Sequence, residues 1–342
     1  MNNDNPDPAH ILQTATAFWA SKALLTAVEL ELYTALAAGG LTADAVAGRL
    51  SLEPRPARDL LDALFALGLI DRQGEGEQAI YANTPATAAF LNRTSPQYIG
   101  GFLEMLNSRL YGFWQHLGDA LRTGQPQNEL RDGGRSMFET LYADEARLGE
   151  FLAAMSGVQA ASFERLAEAF DFSRFDTVCD VGGALGALSC ALARRHPRLA
   201  LTTFDLPPVA PHAARYIANQ GLSDRISVAS GDFFKDPLPA AEVITMGNIL
   251  HDWNLERKKQ LIASAYAALP DGGALVVIEN IIDDARSENA FGLLMSLNML
   301  IEFGDAFDYT GADFRDWCEE AGFRSFEFIP LAGPTSAAVA WR

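Results

Sequence analysis

The chain has 342 residues, 49% of them hydrophobic, which is enough material to fill the cores of two domains. Its formal net charge is −18, and a surface that acidic repels phosphate backbones and anionic membranes, which argues against nucleic acid or a lipid surface as partner. Met1–His10 lacks the basic start and apolar run of a signal peptide, no apolar run approaches the ~18 residues of a membrane span, and Cys179, Cys190 and Cys318 are too far apart for a disulfide framework or zinc site, so a cytoplasmic protein without a metal is expected.

Apolar residues recur at helical spacing from Ile11 to Leu36, with Leu24, Val28, Leu32 and Leu36 among them. Thr42 reads as the N-cap of a helix over Ala43–Leu50. A second helix, Arg55–Leu67, places Leu60, Leu61, Leu64 and Leu67 on one face, and Gly68 is its expected C-cap. Leu69–Arg72 and Ala79–Tyr81 flank the turn Gln73–Gly76 and predict a hairpin. Helix, helix, hairpin is the order of a winged helix, so DNA binding is a rival reading. A DNA reader needs basic residues on the second helix and the wing. Here Arg55 and Arg58 are met by Asp59 and Asp62, and the wing carries Glu75 and Glu77. A dimerisation or lid module of the same shape fits better.

Phe102, Leu106, Leu110, Phe113 and Leu117 mark a further helix, and Phe151, Met155 and Val158 another. From Asp176 the pattern changes to short β-branched runs, Thr177–Val181, Leu199–Phe204, Arg225–Ala229, Val243–Met246 and Ala274–Ile278. Helical patterns such as Ala187–Arg195 and Glu256–Ala268 lie between them. That alternation predicts an α/β fold with a Rossmann-like, doubly wound, mostly parallel sheet. The expected organisation is a winged-helix-like, helical dimerisation domain over residues 1–100, a helical linker and substrate lid over 101–170, and a cofactor-binding domain over 171–342.

Ligands of such sheets bind at the carboxyl ends of the strands. The first strand ends in Cys179-Asp180-Val181 and runs into Gly182-Gly183-Ala184-Leu185-Gly186, where glycines let a ligand approach the backbone. This turn does not match the dinucleotide fingerprint G-x-G-x-x-G, and Asp180 before it suits a ligand ammonium better than a pyrophosphate. Asp205, 25 residues later at the end of the second strand, can accept hydrogen bonds from both hydroxyls of a ribose. Gly231-Asp232-Phe233 ends the third strand and offers a carboxylate and an aromatic face to adenine. Ribose, adenine and an amino-acid tail together describe S-adenosylmethionine. Leu206 and Asn248, which follow the second and fourth strands, join Asp180, Gly182, Gly183, Asp205, Gly231, Asp232 and Phe233 in the expected cofactor set.

The fourth strand delivers Asn248-Ile249-Leu250-His251-Asp252-Trp253, and His251 alone of the five histidines lies at the carboxyl edge of the sheet. Methyl transfer needs the acceptor atom held about 3 Å from the methyl carbon, and a hydroxyl acceptor must also lose a proton. A histidine is suited to take it. Glu279, at the end of the fifth strand, is the expected partner of the ring's other nitrogen.

These residues resemble the class I O-methyltransferases of the plant caffeate, bacterial antibiotic and acetylserotonin type. The resemblance covers nearly the whole chain. Its markers are Asp180-Val181-Gly182-Gly183, Asp205-Leu206-Pro207, Gly231-Asp232-Phe233, Leu250-His251-Asp252-Trp253 and Leu269-Pro270-Asp271-Gly272-Gly273. It implies a homodimer joined by interlocked N-terminal helices, with His251 as general base and Glu279 as its flanking acid. It also places Met155 and Met299 in the acceptor pocket. The match has departures. Ala184 stands for a third glycine, which a methyl group should satisfy. Gly247 stands where plant members carry a cofactor-contacting lysine. Asp308 replaces a second flanking glutamate with a shorter acid, so its reach to His251 does not follow from the sequence. The expected reaction is methyl transfer to a hydroxyl of a small molecule. S-methylation of a thioether such as a methylthio-2-hydroxy acid is the alternative, with non-methylating chemistry behind it.

Overall fold

A computed structural model describes residues 7–133, 141–142 and 144–342. The chain divides into two compact units, Met1–Gly112 and Phe113–Arg342.

In the first unit, helix α1 (Ala9–Glu29) buries Leu25, Ala27 and Val28. It does not continue to Leu36. The chain enters the left-handed region at Glu31 (φ 55°), and a separate turn, Leu32–Ala35, follows. Beyond the break, Leu32, Tyr33 and Leu36 enter the same core as Val28. Helix α2 (Ala43–Leu50) is capped by the Thr42 side chain, which accepts from the Ala45 amide. Helix α3 (Pro54–Ala66) starts on proline and buries Leu61 and Leu64. The hairpin forms from β2 (Asp71–Gln73) and β3 (Ile80–Ala82). A third short strand, β1 (Leu41–Thr42), adds to it, so the order is β1-β3-β2. Arg72 and the Tyr81 hydroxyl both donate to Asp62 at 2.7 Å, so the basic group of the wing is spent within the unit. In the N-terminal half of α1, Ile11, Leu12, Phe18 and Trp19 are 54–69% exposed.

The second unit is built on a seven-stranded sheet in the order β6-β5-β4-β7-β8-β10-β9. The strands are β4 (Thr177–Val181), β5 (Ala200–Asp205), β6 (Ile226–Ser230), β7 (Val243–Gly247), β8 (Ala274–Glu279), β9 (Ser325–Pro330) and β10 (Ser336–Trp341). Strands β4 to β8 are parallel, as the alternation predicts. All six residues of β8 are buried, which is why it reads as an unbroken apolar run rather than an alternating one. Strand β10 is reversed and lies between β8 and β9. The long helix α4 (Glu145–Ala169), α5 (Ala187–Arg195), α6 (Ala210–Asn219), α7 (Leu255–Ala268), α8 (Ala290–Phe303) and α9 (Gly311–Ala321) accompany it. The chain steps outward from β4 through β5 to β6, then returns to β7 on the other side of β4. Strand order thus switches between β4 and β7, and the carboxyl ends diverge there to leave a crevice.

Candidate active site

The turn after β4 is shaped by sterics as much as by any ligand. A Cβ on Gly183 would overlap the Thr203 hydroxyl and approach the Asp180 carbonyl to 2.9 Å, so this glycine is required by packing. Gly182 has φ 68°, and a Cβ there would collide with Ile249. Ala184 also adopts a left-handed conformation, φ 49°, which costs an L-residue about 1–2 kcal/mol. The missing glycine is therefore accommodated under strain. The conformation is held by the Ala184 amide, which donates to Asp205 Oδ2 at 2.9 Å. The Leu206 amide donates to Asp205 Oδ1 at 2.7 Å. Both carboxylate oxygens of Asp205 are thus aimed by backbone donors, each with capacity to accept another bond.

Asp205 lines a cavity of about 320 Å³ that also takes in Gly182, Leu206, Asp232, Phe233, Asn248, Asp252 and Trp253. The wall opposite the sheet is apolar and comes from one stripe of α4, Leu148, Phe151, Leu152 and Met155, with Leu141 and Tyr142 beside it. Several expected cofactor residues behave otherwise than their motif implies. Asp180 is buried outside the cavity wall and accepts from the Thr245 hydroxyl at 2.7 Å. Burial raises its pKa to about 7, so it is poorly placed to meet a ligand ammonium. Gly231 packs under Phe204. Asp232 lines the cavity, but its carboxylate accepts from the Phe234 amide and pairs with Lys235 at 2.7 Å. Asn248 turns the chain out of β7 with φ 52°.

Gln159 is a residue the sequence reading passed over. It lies one turn beyond Met155, its Oε1 is buried without a hydrogen-bond partner, and it stands 3.0 Å from where a side chain on Gly247 would begin. The absent side chain at 247 makes room for this amide. The signal was available, since a glutamine sits in the apolar stripe of α4.

Beyond β7 a short 3₁₀ turn, Leu250–Asp252, carries His251, which is 6% exposed. The two acids assigned to it exchange roles. Glu279 Oε1 accepts from the Ile249 amide at 3.0 Å and the His251 amide at 3.1 Å, so it pins the backbone of the turn and not the ring. Asp308 does reach the imidazole, with Oδ1 3.4 Å from Nδ1. A bridge between Ile282 and Thr310 carries the Asp308 segment across the end of β8. Asp252, which lines the cavity, has Oδ1 3.4 Å from Nε2. These are ion-pair distances rather than formed hydrogen bonds, since Nδ1 has no partner within bonding geometry. Burial alone would disfavour the imidazolium, but Asp252, Asp308 and Glu279 outweigh it and raise the His251 pKa to about 10. Burial lifts Asp252 to about 6.

Met155 lines the cavity, whereas Met299 is buried on α8 and does not. Among the described residues no cluster of three or more metal-ligating side chains occurs, and no helix is long and apolar enough to cross a membrane.

Two family models match. An O-methyltransferase dimerisation domain covers residues 12–93 and an O-methyltransferase domain covers residues 114–324. The chain is 40% identical to the tetracenomycin polyketide synthesis 8-O-methyl transferase of Streptomyces glaucescens, over 97% of this chain and 96% of that one. It is 36% identical to an N,N-dimethyltransferase of Streptomyces rimosus, over 92% and 90% of the two chains. Human N-acetylserotonin methyltransferase, solved in complex with S-adenosylmethionine, superposes with a TM-score of 0.90 at 30% identity, covering 100% of this chain and 99% of that one. The comparisons lend no support to a thioether acceptor.

Proposed function

The chain belongs to the O-methyltransferase family and uses S-adenosylmethionine to methylate a small molecule, and on that premise we propose that its acceptor is an aromatic hydroxyl whose proton passes to His251. The observation that carries the proposal is an imidazole held between Asp308 on its Nδ1 side and the cavity-lining Asp252 on its Nε2 side. The flat apolar wall of Phe151, Met155, Tyr142 and Trp253 suits an aromatic ring better than a short aliphatic acid.

Bound S-adenosylmethionine supplies an electrophilic methyl group on a sulfonium. Asp205 would hold the ribose hydroxyls, Leu206, Asp232 and Phe233 the adenine, and Gly182, Asn248 and Gln159 the amino-acid tail. His251 must be neutral to accept a proton. A positive charge entering a cavity edged by Asp205 and Asp252 lowers the proton affinity of the imidazole and so favours that form. The exposed apolar face of α1, with Ile11, Leu12, Phe18 and Trp19, supports a homodimer formed through this unit. Three buried free cysteines support a reducing, cytoplasmic setting. A dimerisation segment, a helical lid and a transfer domain remain the division of labour we propose along the chain.

Two measurements test this reading. Aromatic hydroxyls, aromatic amines and thioethers are offered with S-adenosylmethionine, and release of S-adenosylhomocysteine is followed. Turnover is expected with the hydroxyls; turnover confined to amines or thioethers would overturn the assignment. For the tail, Gln159→Leu is expected to weaken S-adenosylhomocysteine about tenfold, the effect of losing a hydrogen bond to a charged group. Its affinity for 5′-methylthioadenosine, which has no amino-acid tail, should be unchanged. Equal losses for both ligands would move Gln159 away from the tail.

A further inference from the structure

The sheet edge contains a buried cation that the proposed chemistry does not use. Lys258, on α7, is 0% exposed. It stands on the same stripe as Leu261, Ile262 and Ala265, where an apolar residue would be expected. Its ammonium donates to the Leu250 carbonyl at 2.8 Å and to the Trp253 carbonyl, the two ends of the turn that carries His251. The Phe307 ring centroid lies 4.2 Å from Nζ, on the loop that presents Asp308. One amine therefore ties α7, the His251 turn and the Asp308 loop together.

Satisfying two carbonyls needs only donors, which a neutral side chain could provide. The charge answers to something else. Glu279 from β8, Asp308 and Asp305 from the loop, and Asp252 from the turn all act on Lys258. Asp252, Asp308 and Glu279 also act on His251, so the charge of three carboxylates, two of them beside the ring, falls on one imidazole. Without Lys258 that group would carry excess negative charge whatever the state of His251, and an imidazole in such a field holds its proton too firmly to act as a base. Burying an ammonium is costly unless it is paired, and burial pulls Lys258 down to about 8 even with these acids around it.

We infer that Lys258 is a positioning residue of the transfer site, fixing the turn that carries His251 and offsetting the surrounding carboxylates so that His251 can exchange a proton. This rests on His251 being the base, and the test separates the two ideas. Lys258→Met keeps the length of the side chain without its charge, and Lys258→Gln keeps donors without charge. In both, S-adenosylhomocysteine affinity by calorimetry should stay within about threefold, showing a folded cofactor site. The turnover number should fall about tenfold or more. The acid limb of its pH profile should move up by about one unit, and the His251 ring titration followed by NMR in the cofactor-free protein should move with it. Unchanged turnover and pH profile in Lys258→Met would overturn the inference. So would reduced turnover with neither the limb nor the ring titration displaced, since that is simple loss of packing. If His251→Ala keeps its turnover while the ring titration still moves in Lys258→Met, the base assignment fails and the electrostatic coupling stands.

Discussion

Replacing His251 with alanine is expected to lower the turnover number about 10²- to 10⁴-fold, the usual contribution of a positioned general base. Cofactor affinity should remain within a few-fold, because the proposed cofactor contacts run through Asp205, Leu206, Phe233 and Gln159 and not through His251. The pH profile of the unmodified enzyme carries a second signature. An ordinary imidazole titrates near 6.5. Here Asp252, Asp308 and Glu279 raise His251 to about 10, so the base form is scarce at neutral pH. Activity is therefore expected to rise with pH through the neutral range, and its acid limb should lie above that of an isolated histidine. The limb should fall between 6.5 and the cofactor-free value, since an arriving positive charge favours the neutral ring. Rates measured from pH 6 to 10 at saturating acceptor check this. A flat profile, or an alanine variant with near-normal turnover, would remove His251 from the proton path.

Asp205 is the second position where one atom change should have a large effect. Asp205→Ala is expected to weaken S-adenosylhomocysteine by about 1.5–3 kcal/mol, roughly 10- to 150-fold. The structure adds a sharper expectation for Asp205→Asn. Both oxygens of the native carboxylate accept backbone donors, from Ala184 and Leu206. An asparagine must turn its NH₂ group toward one of them and set donor against donor. The asparagine variant should thus bind no better than the alanine variant, although it preserves shape and one acceptor. Calorimetric titration of both proteins decides the matter, and an asparagine variant with native affinity would show that the carboxylate is not held in this way.

Much of the fold was legible because it rests on periodicity. Four of the five parallel strands that pattern reading marks are displaced by a single residue at one end or both, and the fifth, Thr177–Val181, matches outright. The C-terminal pair β9 and β10 left no comparable trace, since Ser336-Ala337-Ala338-Val339-Ala340-Trp341 is made mainly of small residues that pass equally for a helix. In the site, the sequence led to the right strand ends but not to the right atoms. Glu279 and Asp308 both converge on the His251 turn, and the course of the loop over 304–310 decides which of them meets the ring. That loop has no period to read. Gly183 was read as a cofactor contact, whereas packing against Thr203 and the Asp180 carbonyl already requires a glycine there. Lys258 and Gln159 each interrupt an apolar stripe, a pattern that ordinarily signals a surface residue out of phase. The packing shows that the Lys258 side chain and the Gln159 Oε1 are buried instead.

The place of β10 has a bearing on how this protein is made. Residues 336–341 fill an interior position of the sheet, hydrogen-bonded to β8 on one side and β9 on the other. During synthesis, β4 to β8 emerge and can pair in order, but the edge of β8 stays open until residue 341 has cleared the ribosome. For that interval the nascent chain presents a row of unpaired backbone groups beside the buried run Ala274–Glu279, the kind of edge that invites pairing with another chain. Slow translation of the stretch between β8 and β10 would prolong this exposure, and chaperones that shield strand edges would be needed most over that interval.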